Sequence, residues 1–155
     1  MTHEVVEFNE PVLRKNHFFC KTSEKMCHDI FDCTIKNIYK TKNGYRISVL
    51  LRDENIEYFS ILDSQVVEYI TENNSIWFEN ELSDEDISSL YVNSYCKQNK
   101  TIDLDISEKT VIMANDIEMN MLEIVDLLVD RNFVINIVIR YVGLNIYSNY
   151  VKNQW

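Results

Sequence analysis

In residues 133–141, FVINIVIRY, every second side chain is a large apolar one. Phe133, Ile135, Ile137, Ile139 and Tyr141 fall on one side, and Val134, Asn136, Val138 and Arg140 on the other. A period of two is the side-chain period of a β-strand, whereas a helix repeats every 3.6 residues. The pattern predicts a strand with one face in a core. Gly143 then allows a turn or bulge, and LNIYSNYV resumes the alternation. The segment is partly apolar on its second face as well, which admits a homo-oligomer through a shared sheet edge.

Similar signals recur upstream. Residues 30–40 and 45–52 read as strands joined around Asn43 and Gly44, a strong short-range hairpin signal. Residues 56–62, 66–70 and 75–78 are apolar, β-branched or aromatic, and predict further strands. Residues 100–106 alternate, and 110–113 predicts a short strand. Two helices are expected. One spans 84–96, started by Ser83 with Asp86 in a capping-box arrangement; the other spans 116–130 and is largely buried. Residues 1–28 read as an extended N-terminal arm with a short strand at 5–8, and 29–155 as a single β-rich domain. A length of 155 residues suits one core. The expected class is α+β, mainly antiparallel β with one or two helices.

Several chemistries find no support in these residues. No run of 18 apolar residues exists, and the first residues are too polar and acidic for a signal peptide, so an intracellular, non-membrane protein is expected. Cys20, Cys27, Cys33 and Cys96 then read as free thiols. A zinc site from Cys20, Cys27, His28 and Cys33 would have spacings that match no common knuckle. The three histidines lie in no recognisable nucleophile setting. With 2 Gly and 1 Pro, the chain has no Gly-rich phosphate loop. Asp84, Glu85 and Asp86 suit the first turn of a helix, where acids complement its dipole. Asp103 and Asp105 share one face of a strand. A metal-dependent activity at these acid pairs is the one enzymatic alternative. The expectation is a non-enzyme without cofactor or metal.

Charge carries the functional signal. The net charge is -10, but it is unevenly placed. Residues 53–130 carry 19 acids and 3 bases. Residues 33–52 carry Lys36, Lys40, Lys42, Arg46 and Arg52 and no acid, and residues 131–155 carry Arg131, Arg140 and Lys152 and no acid. Both acid-free tracts are expected hairpins rich in aromatic residues, Tyr39 and Tyr45 in the first and Phe133, Tyr141, Tyr147, Tyr150 and Trp155 in the second. In the first, a three-residue loop of Lys42, Asn43 and Gly44 separates apolar from basic residues best. It sets Tyr39 opposite Ile47 and Lys40 opposite Arg46. Like charges face to face destabilise a bare sheet by up to about 1 kcal/mol, a penalty that a polyanion would remove. The competing reading is a lysine-blunted, solvated edge.

Strands at 30–40, 45–52 and 56–62, a helix at 84–96 and a strand at 100–106 follow the order β-β-β-α-β. This layout resembles the OB-fold single-stranded DNA-binding proteins of large DNA viruses, and the terminal segment looks like their closing hairpin. The resemblance is topological, spans residues 28–155, and implies an OB-like barrel whose second and third strands bind the ligand. The expected function is single-stranded nucleic-acid binding. Lys36, Lys40, Lys42, Arg46, Arg52 and Arg140 would meet phosphates, and Tyr45, Tyr58, Phe59 and Trp77 would stack bases. The alternative is an acidic protein-interaction factor, such as a viral accessory protein or nucleic-acid mimic, that engages a partner through residues 53–130.

Overall fold

The computed structural model describes residues 5–78, 80–107, 109–114, 117–120, 123 and 134–155. It is an α+β chain, mainly antiparallel β. It divides into two compact units, one of Met1–His28, Glu54–Ser94 and Val138–Trp155, the other of Asp29–Asp53 and Tyr95–Ile137. Two long strands belong to both: β2 (Phe18–Thr41) and β8 (Val134–Ile146).

The first unit holds β1 (Val12–Leu13), the start of β2, the helices α1 (Asp53–Glu72, from Glu54), α2 (Asn74–Trp77) and α3 (Asp84–Leu90), then β4 (Tyr91–Val92), the end of β8 and β9 (Val151–Gln154). Its strands run in the order β1-β2-β8-β9-β4, with β4 parallel to β9. Residues 56–62 and 66–70, expected as strands, form α1 instead, and 75–78 lies largely in α2. The reason is visible in the burial. Phe59, Leu62, Val66 and Ile70 are buried at spacings of three and four, the helical period, and no Gly or Pro interrupts residues 53–72. Their β-branched and aromatic character pointed the other way, and tertiary burial overrode it.

The core of this unit also takes Val6, Phe8, Phe19, Cys20, Ile87, Tyr141, Leu144, Ile146 and Val151. The N-terminal residues thus supply core side chains as well as an extended segment. Gly143 makes no turn. It sits inside β8, where an added Cβ would lie 2.2 Å from the Cys20 carbonyl oxygen, so the absent side chain is what lets β2 approach. The Ser83 cap is present: its hydroxyl accepts from Asp86 N, and the Asp86 carboxylate accepts from Ser83 N. The helix ends at Leu90 rather than 96, because Tyr91 and Val92 pair with Val151 and Lys152 of β9.

The second unit continues β2 from Asp29 and adds β3 (Gly44–Leu50), β5 (Thr101–Ser107), the short hairpin of β6 (Ile112–Ala114) and β7 (Ile117–Met119), and the start of β8. Its main sheet runs β8-β2-β3-β5. Ile30, Cys33, Ile47, Val49, Leu51, Ile102 and Leu104 are buried. β3 is antiparallel to both neighbours, so cross-strand rows share a face. One face carries the rows Ile35–Val49–Ile102, Ile38–Ile47–Leu104 and Lys40–Tyr45–Ile106. The other carries Asn37–Ser48–Asp103 and Tyr39–Arg46–Asp105. Residues 117–119, expected near the start of a helix, are β7; residues 116, 121, 122 and 124–130 of that expected helix lie outside the described residues.

Candidate nucleic-acid interface

The β2–β3 hairpin is present, but not in the register expected from the sequence. Thr41 pairs with Gly44, which leaves Lys42 and Asn43 as the turn. Lys40 therefore faces Tyr45, and Tyr39 faces Arg46. The Lys40–Arg46 repulsion does not occur, and the inference drawn from it falls. Gly44 does not take the left-handed turn position. A Cβ on it would lie 2.1 Å from the Ile106 carbonyl oxygen. It is therefore a strand residue that lets β5 close against β3. The register shifts between Ile35 and Asn37, which makes Lys36 the extra residue of a bulge.

The cations of this hairpin are in two states. Lys36, Lys40 and Lys42 are exposed. Arg46 Nε lies 2.8 Å from Asp105 Oδ1, and Arg52 Nη1 lies 3.3 Å from Asp32 Oδ2. Asp105, hydrogen-bonded to the guanidinium, raises the Arg46 pKa above its ordinary value. Both ion pairs are exposed, and such pairs contribute about 0–1 kcal/mol, so a phosphate can compete for either arginine. Asp32 sits at φ 50 and its amide donates to Asn136 Oδ1 at 2.9 Å. Asp tolerates this left-handed backbone better than most residues.

The aromatic candidates fare differently. Tyr45 lies at the hairpin end beside Lys40, and Tyr39, paired with Arg46, is 53% exposed there. Phe59 is 0% exposed, wedged between Tyr58 and Trp155, and has no face for a base. Tyr58 is half-buried, with one ring face covered by His28 at 3.5 Å between centroids and 1° between planes. Trp77 is half-buried and leans on Tyr69 at 5.6 Å. Tyr58, Phe59 and Trp77, with Arg140 exposed on β8, belong to the first unit, and the hairpin residues to the second. The stacking role expected of Phe59 is thus corrected to core packing, because the helical period of α1 turns it inward.

The acid pairs fall in different units. Asp84 and Asp86 are in the first turn of α3, and Asp103 and Asp105 are on β5, in the other unit. Among the described residues, no three His, Cys, Asp or Glu side chains gather into a group able to hold a metal. Cys20 and Cys33 are buried free thiols, and Cys27 and Cys96 are exposed ones.

One polar cluster carries no signal in the sequence. Asp63, buried on α1, accepts from the Tyr91 hydroxyl at 2.6 Å, from the Ser94 hydroxyl at 2.5 Å and from the Ser94 amide at 3.0 Å. Asn153 Nδ2 donates to Tyr91 and Ser94 at 2.6 and 2.9 Å, and Tyr141 donates to Asn153 Oδ1 at 2.6 Å. Burial, reinforced by the Asp63 charge, raises both tyrosine pKa values far above the ordinary one. These hydroxyls stay protonated and act as donors. Such a satisfied buried network fastens α1, β4, β8 and β9 together. No helix among the described residues is long and apolar enough to cross a membrane. No family model, curated protein or solved structure matches the chain.

Proposed function

We propose that this chain is a single-stranded nucleic-acid-binding module whose contact surface is the end of the β2–β3 hairpin. The observation that carries this reading is the pairing there. Lys40 faces Tyr45 and Arg46 faces Tyr39, Lys42 occupies the turn, and residues 33–52 contain no acid. Cations beside rings are what an unpaired strand requires: the cations track phosphates and the rings stack bases. An OB-like barrel belongs to the same reading. It is supported by the antiparallel β2–β3–β5 arrangement and by the bulge at Lys36, since bulges bend strands as barrels need. The test is fluorescence anisotropy of a labelled oligonucleotide. Lys40→Glu with Lys42→Glu weakens binding at least about tenfold at low salt and lowers the salt slope by about 0.7 per lost phosphate contact.

A second reading is favoured by a different observation. Residues 53–96 contain no Lys or Arg, and Glu54, Glu57, Glu68 and Glu72 are exposed along α1, as are Asp84, Glu85 and Asp86 on α3. An acidic helical surface of this kind suits a basic protein partner. Capture of such a partner that survives nuclease treatment and is lost on Glu68→Lys with Glu72→Lys supports this reading over the first.

A further inference from the structure

The second acid-free tract ends in a group of rings that the hairpin reading does not use. In the first unit, His17 stacks on Tyr147 at 4.4 Å between centroids and 20° between planes, and Tyr147 stacks on Tyr150 at 4.4 Å and 23°. The stack is held from below. Tyr147 N donates to the Tyr150 carbonyl at 2.9 Å, closing the β8–β9 turn. The His17 ring nitrogens lie 3.1 Å from Asn16 Oδ1 and 3.0 Å from Asn145 Oδ1. Arg14 N donates to the His17 carbonyl at 2.7 Å, which closes the β1–β2 turn against the same rings. Tyr150 ends the row: no further ring stacks on it among the described residues. The turn and strands that hold the row also carry Arg14, whose guanidinium lies 3.7 Å from the Phe19 ring centroid, Lys15, and Lys152, which is paired with Asn145. All three are exposed, and neither residues 11–23 nor residues 131–155 contain an acid.

We infer that the three-ring row at the β8–β9 turn is a second stacking site, which extends by the nucleobases of a single strand whose phosphates lie on Arg14, Lys15 and Lys152. This rests on the reading of the chain as a single-stranded nucleic-acid binder and adds a site in the unit that lacks the β2–β3 hairpin. Rings already stacked and pinned lose little freedom when another ring joins the row, so the stacking energy is not spent on ordering them. The cations select the ligand class. A neutral glycan would stack equally well on tyrosine but has no charge for three bases to meet, whereas each nucleotide brings one phosphate.

The test is anisotropy of the full chain with a labelled oligothymidylate of about 16 nucleotides, the upper end of what one such module covers. Tyr150→Ala weakens binding about 5- to 150-fold, the range for one stacked base, and Tyr150→Phe retains it. Replacing the bases with abasic positions weakens wild-type binding by a larger factor than it weakens Tyr150→Ala, which keeps only the hairpin rings to stack on. Lys152→Glu, on an exposed side chain, weakens binding and lowers the salt slope by about 0.7, and serves if Tyr150→Ala is poorly folded. If Tyr150→Ala and Lys152→Glu both bind like wild type while Lys40→Glu with Lys42→Glu does not, the second site is overturned and the hairpin reading stands. If wild type does not bind at low salt, both are overturned. Displacement of the oligonucleotide by a neutral oligosaccharide, but not by unlabelled oligonucleotide, also overturns the assignment.

Discussion

Asp63 and Asn153 act at the scale of single residues and leave no trace in periodicity. Each is an ordinary polar residue in its own segment, and only the packing of α1 against β9 gives them common partners. Asn153 serves three groups: it accepts from Tyr141 and donates to Tyr91 and Ser94. Asn153→Leu leaves those buried groups short of partners, and each unsatisfied one costs about 1–3 kcal/mol. Urea denaturation should therefore show a loss of at least about 1 kcal/mol without a change in m. The buried thiols make a second prediction. Burial pushes Cys20 up to about 12 and Cys33 up to about 11, from 9.0. Between pH 9 and 12 the folded chain keeps protons that the unfolded chain has lost, so stability is full below 9 and declines as pH rises through that window. The melting temperature should hold steady up to about pH 8 and fall beyond about 9, and Cys20→Ala should flatten that fall. In the native protein a thiol reagent should label Cys27 and Cys96 at once, and Cys20 and Cys33 only on unfolding.

At the scale of elements, β8 and β5 were legible because alternation over seven or more residues has one simple explanation. Ser83 and Asp86 announced α3 because a cap is a local contact. The hairpin was legible, but its register was not. Asn43 and Gly44 predict a glycine in a left-handed turn, whereas Gly44 is required at the start of β3 by the approach of Ile106. That requirement comes from β5, a non-local neighbour. The same holds for Gly143 and Cys20. α1 was hidden because Tyr58, Phe59, Val66, Val67 and Ile70 have the composition of strands. Only their burial at helical spacing separates the two readings. Gly44→Ala tests the corrected register. Its Cβ cannot fit without parting β3 from β5, and overpacking of this kind costs about 1–3 kcal/mol. In the turn geometry expected from sequence, Lys42→Gly would be neutral and Gly44→Asn tolerated. In the observed one, Gly44→Asn is as damaging as Gly44→Ala by chemical denaturation.

At the scale of the whole chain, the total charge of -10 describes solubility, and its distribution bears on function. The acid-free tracts survive in the structure as two hairpin ends, one in each unit, and the acid-only tract 53–96 as α1, α2 and α3 with the strand β4. This segregation was readable from the sequence. The rings that join the cations are readable only in part: Tyr39, Tyr45, Tyr147 and Tyr150 stand out in the acid-free tracts, but only Tyr45 among them is expected to stack, His17 gives no signal, and Phe59 is lost to the core. In the proposed function, cations beside tyrosines at the β2–β3 hairpin hold a single strand. Anisotropy of a labelled oligonucleotide over a salt series, with wild type beside Lys40→Glu with Lys42→Glu, measures it directly. Wild type should bind at low salt and weaken steeply as salt rises, and the variant should bind more weakly with a flatter dependence. No binding at low salt, or binding that the two charge reversals leave unchanged, contradicts that function.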